Sequence, residues 1–297
     1  MANFDDLFSG TKQESKKTET PAFDKEAWAE KKQQERNDVY AMLDEAIGEI
    51  TSDGECFKDY LNVQGRFNRY SVSNALLITH QNREATSLAN FDAWKENGAS
   101  VQKGEKAILI LEPGKEYTRD NGTTGVSMNV KHMFDISQTD AEPRRRQPMQ
   151  YDDRKLIKAL IQTSPCDIVG TDNLPQNVNA AFIPEKNTIQ IRKGMSAQEI
   201  IVNLSACIAD AKVCQKKISN DERNFASRCA SYIVSGKFGV DVGDYSFEDV
   251  GKVFSGKEPK QVRETLEKVR DTANEIGLGM EKALDEKSKS ERSDTAR

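Results

Sequence analysis

One stretch of this chain, Gly65 to Thr139, sets helical and strand patterns side by side, and that pairing fixes the class of fold. Ser71 is placed as the N-cap of a helix running to Gln81, with Val72, Ala75, Leu76 and Ile78 inside it. Phe91 to Asn97 reads as a short helix stopped by Gly98. Ala107–Leu111 reads as a strand ended by Glu-Pro-Gly, Asp120-Asn121-Gly122 as a hairpin tip, and Val126–Ile136 as the returning strand. Burying a helix stripe and a sheet face within one segment makes the class α+β. The same stretch mixes aromatic, guanidinium and amide side chains with a Lys103-Gly104-Glu105-Lys106 turn. A pure core does not need that polar half, so the segment also reads as a binding surface.

Composition narrows the function classes. At 297 residues the chain suits two modest domains or one large one, and 36% hydrophobic against 31% charged residues implies polar tails. No apolar run approaches the ~20 residues that span a bilayer, and the first residues lack a secretory pattern, so the expectation is a cytoplasmic protein with no membrane partner. Five cysteines without a CxxC pair read as reduced, mostly buried thiols. The net charge of -5 disfavours a general polyanion binder, but its distribution matters more. Residues 1–57 hold seven basic and fourteen acidic side chains, whereas residues 58–150 hold thirteen basic and eleven acidic. A phosphate-binding face therefore fits the second of these segments better.

Residues 1–27 read as a disordered acidic arm, with Phe4 to Phe8 its one apolar cluster. A first domain spans 28–140 and opens with a helix from Trp28 to Ile50, carrying Val39, Met42, Leu43, Ala46, Ile47 and Ile50 at spacings of one, three and four. Residues 141–150 form a linker whose prolines bracket Arg144 to Arg146; a solvated linker is the plainer reading of those arginines, a phosphate clamp the sharper one. A second domain covers 151–285. It has a helix at 152–163, strands at 180–183 and 188–192, a helix from Ser196 to Cys214 opened by a Ser196–Glu199 capping box, a helix from Asn220 to Ser235, and a last helix from Pro259 to about Leu284. Residues 286–297 read as a charged, disordered tail.

Several residues of the first domain stand together in a recognisable order: Arg69-Tyr70-Ser71, Asn74 to Ile78, Phe91, Trp94, Gly98, Val101, Lys103 to Lys106, and Phe134 to Thr139. In these the segment resembles the N-terminal single-strand DNA-binding domain of ArdC-type antirestriction proteins. The resemblance implies sequence-tolerant binding of single-stranded DNA on a mobile genetic element such as a conjugative element, plasmid or phage. Single-strand binders need cations for phosphates and aromatic faces for bases. Arg66, Arg69, Lys103 and Lys106 can supply the first; Phe67, Tyr70 and Trp94 the second; Asn74 and Gln138 add polar contacts. Trp94, three residues after Phe91, reads as helix core before stacking platform, and Tyr70 fits either role.

The second domain resembles the zincin-like metallopeptidase domain that follows in this family, on Ala181 to Pro184, Asn187 to Ile191, Gly194 to Ser196, and Phe238 to Asp241. A zincin needs two histidines one helical turn apart and a glutamate beside the first. At those positions the chain has Ala206, Cys207 and Asp210, and Arg228 stands at or near the later acidic ligand. The only histidines, His80 and His132, belong to the first domain. Cys207, Asp210, Cys214 and Cys229 as a replacement metal site is one reading, and buried thiols the plainer one. The resulting expectation is a degenerate, mostly helical zincin-like domain with a small β-hairpin, no catalysis, no metal and no cofactor. Single-stranded DNA is the expected partner, with a host defence or conjugation protein as a further one.

Overall fold

The computed structural model describes residues 24–118, 122–142, 151–214 and 220–294. The Phe4–Phe8 cluster, Asp120 and Asn121 of the hairpin tip, and Arg144 to Arg146 lie outside them.

The first element, α1 (Lys25–Ser52), starts where the Asp24 carboxylate accepts from the N–H groups of Glu26 and Ala27 at 3.0 and 3.1 Å. It buries the stripe Val39, Leu43, Ala46, Ile47 and Ile50. A second helix, α2 (Gly54–Arg66), follows at once and was not expected, because Thr-Ser-Asp-Gly reads locally as a turn. Asp53 ends α1 and caps α2, accepting from Cys56 N–H at 2.8 Å. A Cβ on Gly54 would stand 3.0 Å from the Phe247 carbonyl, so the glycine serves close packing. Ser71 caps α3 (Val72–Gln81), whose Val72, Ala75, Leu76, Leu77 and Ile78 are all buried.

Beyond α3 come β1 (Leu88–Ala89), α4 (Phe91–Glu96) ended near Gly98 at φ 79°, and the long strands β2 (Ile108–Thr118) and β3 (Thr124–Asp135). They form an antiparallel sheet in the order β1-β3-β2. The Glu-Pro-Gly sequence does not end β2 as expected. The register shifts between Pro113 and Glu116, and this irregularity takes up the residue that cannot donate. β2 is an edge strand, and α3 closes its edge with two side-chain amides. Asn74 donates to the Leu111 carbonyl and accepts from Leu111 N–H, both at 2.8 Å. One helical heptad on, Gln81 does the same for Leu109 at 2.9 and 2.8 Å. The two amides stand in for a neighbouring strand.

The second half contains α5 (Asp153–Gln162), β4 (Asp167–Thr171), β5 (Ala180–Ile183), β6 (Thr188–Arg192), α6 (Ala197–Cys214), α7 (Asn220–Lys237), α8 (Val250–Val253) and α9 (Pro259–Asp294). The expected hairpin β5–β6 is there, turned through Asn187 at φ 46°, a left-handed position asparagine tolerates. β4 enlarges it to a sheet of order β4-β6-β5, pairing in parallel with β6. Ser196 and Glu199 close the start of α6 reciprocally, with Ser196 N–H donating to the carboxylate at 2.8 Å and Glu199 N–H to the hydroxyl at 3.3 Å. α9 continues past Leu284, where its apolar pattern ends, to Asp294.

One apolar core joins the halves. Phe57 of α2 meets Phe225 of α7 and Phe247 at centroid distances of 5.2 and 5.4 Å, and Phe254 at 6.2 Å. Two hydrogen bonds tie the same seam: Tyr232 hydroxyl to Asn62 Oδ1 at 2.8 Å, and Asn274 Nδ2 to the Asn68 carbonyl at 2.9 Å. α9 packs on α5, α6 and α7 and reaches α1 and α3. Among the described residues no helix is long and apolar enough to cross a membrane.

Candidate nucleic-acid interface

The end of α2 and the start of α3 place the expected residues at the surface or in the core according to helical geometry. Arg66 closes α2 and is exposed, its guanidinium donating to the Arg83 carbonyl, while Arg83 in turn pairs with Asp59 at 2.8 Å. Phe67, the C-cap, is buried, with Tyr70 set edge-on against it at 5.6 Å and 86°. Arg69 is exposed and makes no hydrogen bond or ion pair among the described residues. Tyr70 is half-buried; burial pushes its phenol above the usual range, and its hydroxyl has no hydrogen-bond partner among the described residues.

Asn68, Arg69 and Tyr70 form one wall of a cleft of about 390 Å³. The other wall is the α9 face bearing Arg270, Asp271, Asn274 and Leu278. The Arg270 guanidinium donates through Nε and Nη2 to Asp271 Oδ1 at 3.0 and 2.7 Å. Asn274 is held by the Asn68 carbonyl, and Leu278 is 56% exposed. None of the α9 residues was singled out from the sequence. Asn68 and Asn274 are 206 positions apart, and only the packing of α9 across the first half brings them together.

The other sequence candidates divide in two. Lys103 and Lys106 are exposed around the Gly104 turn, at φ 94°. Asn74, Trp94 and Gln138 are committed inside the fold. Asn74 clamps β2, and Trp94 is buried with Nε1 donating to the Phe134 carbonyl at 2.9 Å. Gln138 donates to Glu105 and the Lys106 carbonyl at 2.8 Å and accepts from Asp135 N–H, completing a capping box. Of the three, Gln138 braces the turn that carries the exposed lysines.

The α6–α7 region holds the other set. Ala206 is half-buried, and Cys207 is buried, with burial pushing its thiol up to about 12. Burial raises the Asp210 carboxyl, although Arg223 Nε lies 2.8 Å away and Ser227 Oγ 3.4 Å away. Arg228 reaches both carboxylate oxygens of Asp249 at 2.5 and 2.6 Å, with its guanidinium over the Phe225 and Phe247 rings at 5.3 and 5.5 Å. Cys229 is fully buried, and its thiol is raised well above the usual range by that burial. Cys214 Sγ accepts from Arg223 Nη1 at 3.5 Å. Among the described residues no three His, Cys, Asp or Glu side chains converge to hold a metal ion.

The fold is similar to crystal structures of the antirestriction ArdC protein from the R388 plasmid. The metal-free form superposes with a TM-score of 0.54 at 14% identity, covering 72% of this chain and 86% of that one. The Mn(II)-bound form gives 0.52 at 15% identity, with 71% and 85% covered. At that identity the likeness is one of fold. Ala206, Cys207, Asp210 and Arg228 do not fit a divalent ion. One offers no donor, one is a thiol kept protonated by burial, the carboxylate already faces Arg223, and the last is itself a cation. An uncharacterized Bacillus anthracis protein, pXO2-81, is 26% identical over 317 residues, with 86% of this chain and 53% of that protein aligned, so the chain spans about half the length of this curated relative. Residues 35–155, which contain α3, the β2–β3 hairpin and the Arg69–Tyr70 wall, match the family model of the N-terminal domain of the anti-restriction factor ArdC. Over those residues the chain carries a domain of the ArdC N-terminal type.

Proposed function

We propose that this protein binds single-stranded DNA without catalysing a reaction, in an antirestriction or DNA-protecting role for a mobile element, and that its second half serves as a scaffold. The observation that carries the reading is Arg69. It is an exposed guanidinium with no partner among the described residues, next to a half-buried tyrosine whose hydroxyl is also unpaired there, and both open on a cleft. A cation for phosphate beside an aromatic face for a base is the minimal unit of a sequence-tolerant single-strand site. Arg66, Lys103 and Lys106 add exposed positive charge from the same half. The non-catalytic reading of the second half is supported by Arg228 and Arg223, which occupy the carboxylates of Asp249 and Asp210 in the region where a zincin presents ligands.

Fluorescence anisotropy with a labelled single-stranded oligonucleotide at 50 and 200 mM salt tests this. Two or three phosphate contacts give a log–log salt slope of roughly -1.4 to -2.1. Absence of binding at low micromolar protein, or binding indifferent to salt, overturns the proposal.

A further inference from the structure

We infer that the Asn68–Tyr70 segment and α9 together form a pocket for one unpaired nucleotide, so the second half contributes directly to the DNA site. This inference rests on the single-strand reading above and deepens it. Arg270, Asp271, Asn274 and Leu278 fall at i, i+1, i+4 and i+8, on the side of α9 that turns toward the first half. The cleft of about 390 Å³ is of small-ligand size, where a pocket typically holds 300–1,000 Å³.

Its chemistry suits a nucleotide. Arg69 and Arg270 each line the cleft, one from each wall, and a phosphate is the group that such a pair of guanidinium ions takes. Tyr70 and the exposed Leu278 offer apolar surface on opposite sides, where a base can be sandwiched. Asn68 and Asn274 carry amides, and with Asn274 Nδ2 held by the Asn68 carbonyl, the Asn274 Oδ1 is left as an acceptor and the Asn68 amide is free of any hydrogen bond among the described residues. These groups fit the polar edge of a base. A base stacked in a duplex cannot enter without leaving its helix, so the pocket selects unpaired strands. Asp271 has two effects: it fixes the Arg270 guanidinium, and it competes with phosphate for it.

Anisotropy with fluorescein-labelled oligothymidylate separates the possibilities. Arg270→Gln is expected to weaken binding about tenfold and to flatten the salt slope by roughly 0.7, the share of one phosphate contact on a single strand. Asp271→Asn is expected to tighten binding several-fold, a gain that misfolding cannot imitate. Photocrosslinking of a 5-bromouracil oligonucleotide should mark Tyr70 or the 268–282 peptide. Wild-type affinity and salt slope in both variants overturn this inference alone, whereas no binding by the wild-type protein overturns it together with the proposed function.

Discussion

Asn74 on α3 returns both hydrogen bonds of Leu111 on β2, giving to its carbonyl and taking from its N–H at 2.8 Å each. Both partners are buried, so water cannot replace the amide. Asn74→Ala leaves a backbone donor and acceptor unsatisfied, at about 1–3 kcal/mol each. We expect urea denaturation to show a loss of about 2–5 kcal/mol with an unchanged m-value. A loss under 0.5 kcal/mol would show that the strand edge does not depend on this clamp.

Arg69 and Trp94 should separate binding from folding. Arg69→Gln is expected to lower oligonucleotide affinity about five- to tenfold with an unchanged melting temperature, since the side chain is exposed and unpaired among the described residues. Trp94→Phe should do the reverse, keeping affinity while losing about 1 kcal/mol with the bond to Phe134. Anisotropy and thermal melting on the same samples decide; weakened affinity in Trp94→Phe at full stability would put the indole on the DNA.

Asp135 gives the fold an acid-sensitive joint. Burial alone would raise its carboxyl, but hydrogen bonds from Ser87 N–H, Ser137 and Thr86 N–H outweigh that and hold it below 3.8. The folded state thus binds its proton less readily than the unfolded chain does. The stability it contributes is present above the unfolded value of 3.8 and is lost as pH falls toward the folded one. Asp135→Asn should cost about 1–3 kcal/mol at pH 7 and flatten the pH dependence between pH 5 and 3, as read by urea midpoints.

Cys207 and Cys229 should be inert in the native protein. Burial keeps both thiols protonated at neutral pH, so a disulfide reagent at pH 8 is expected to label them only after denaturation. Chelator should leave the melting temperature unchanged. Stoichiometric labelling of Cys207 in the folded state, or a fall in melting temperature with chelator, would contradict this picture of α6 and α7.

Local chemistry made much of this fold legible. Ser71 and the Ser196–Glu199 pair announced their helices because a cap needs only neighbours, and the β5–β6 hairpin was readable for the same reason. α2 was hidden because Asp53-Gly54 looks like a turn, when the glycine is there to admit the backbone at Phe247. β4 was missed because its partner β6 is parallel and its paired positions lie 21 residues downstream, Asp167 facing Thr188. At the candidate site, Arg69 and Tyr70 were visible as types that a core does not require. Asn74 and Gln138 looked alike in sequence, and only their partners on β2 and at Asp135 reveal them as internal supports. The α9 wall had no local signal, since Arg270 and Asp271 resemble any charged helix surface until α9 is laid across the first half.

The Arg228–Asp249 pair has a consequence of its own. A bound ion comes and goes with the supply of metal and with competing ligands, but a guanidinium is part of the chain. The junction between α7 and the segment leading into α8 is therefore held by groups of the chain itself, in a pair open enough to water that salt weakens it. That fastening forms as the chain folds and needs nothing the chain does not itself carry.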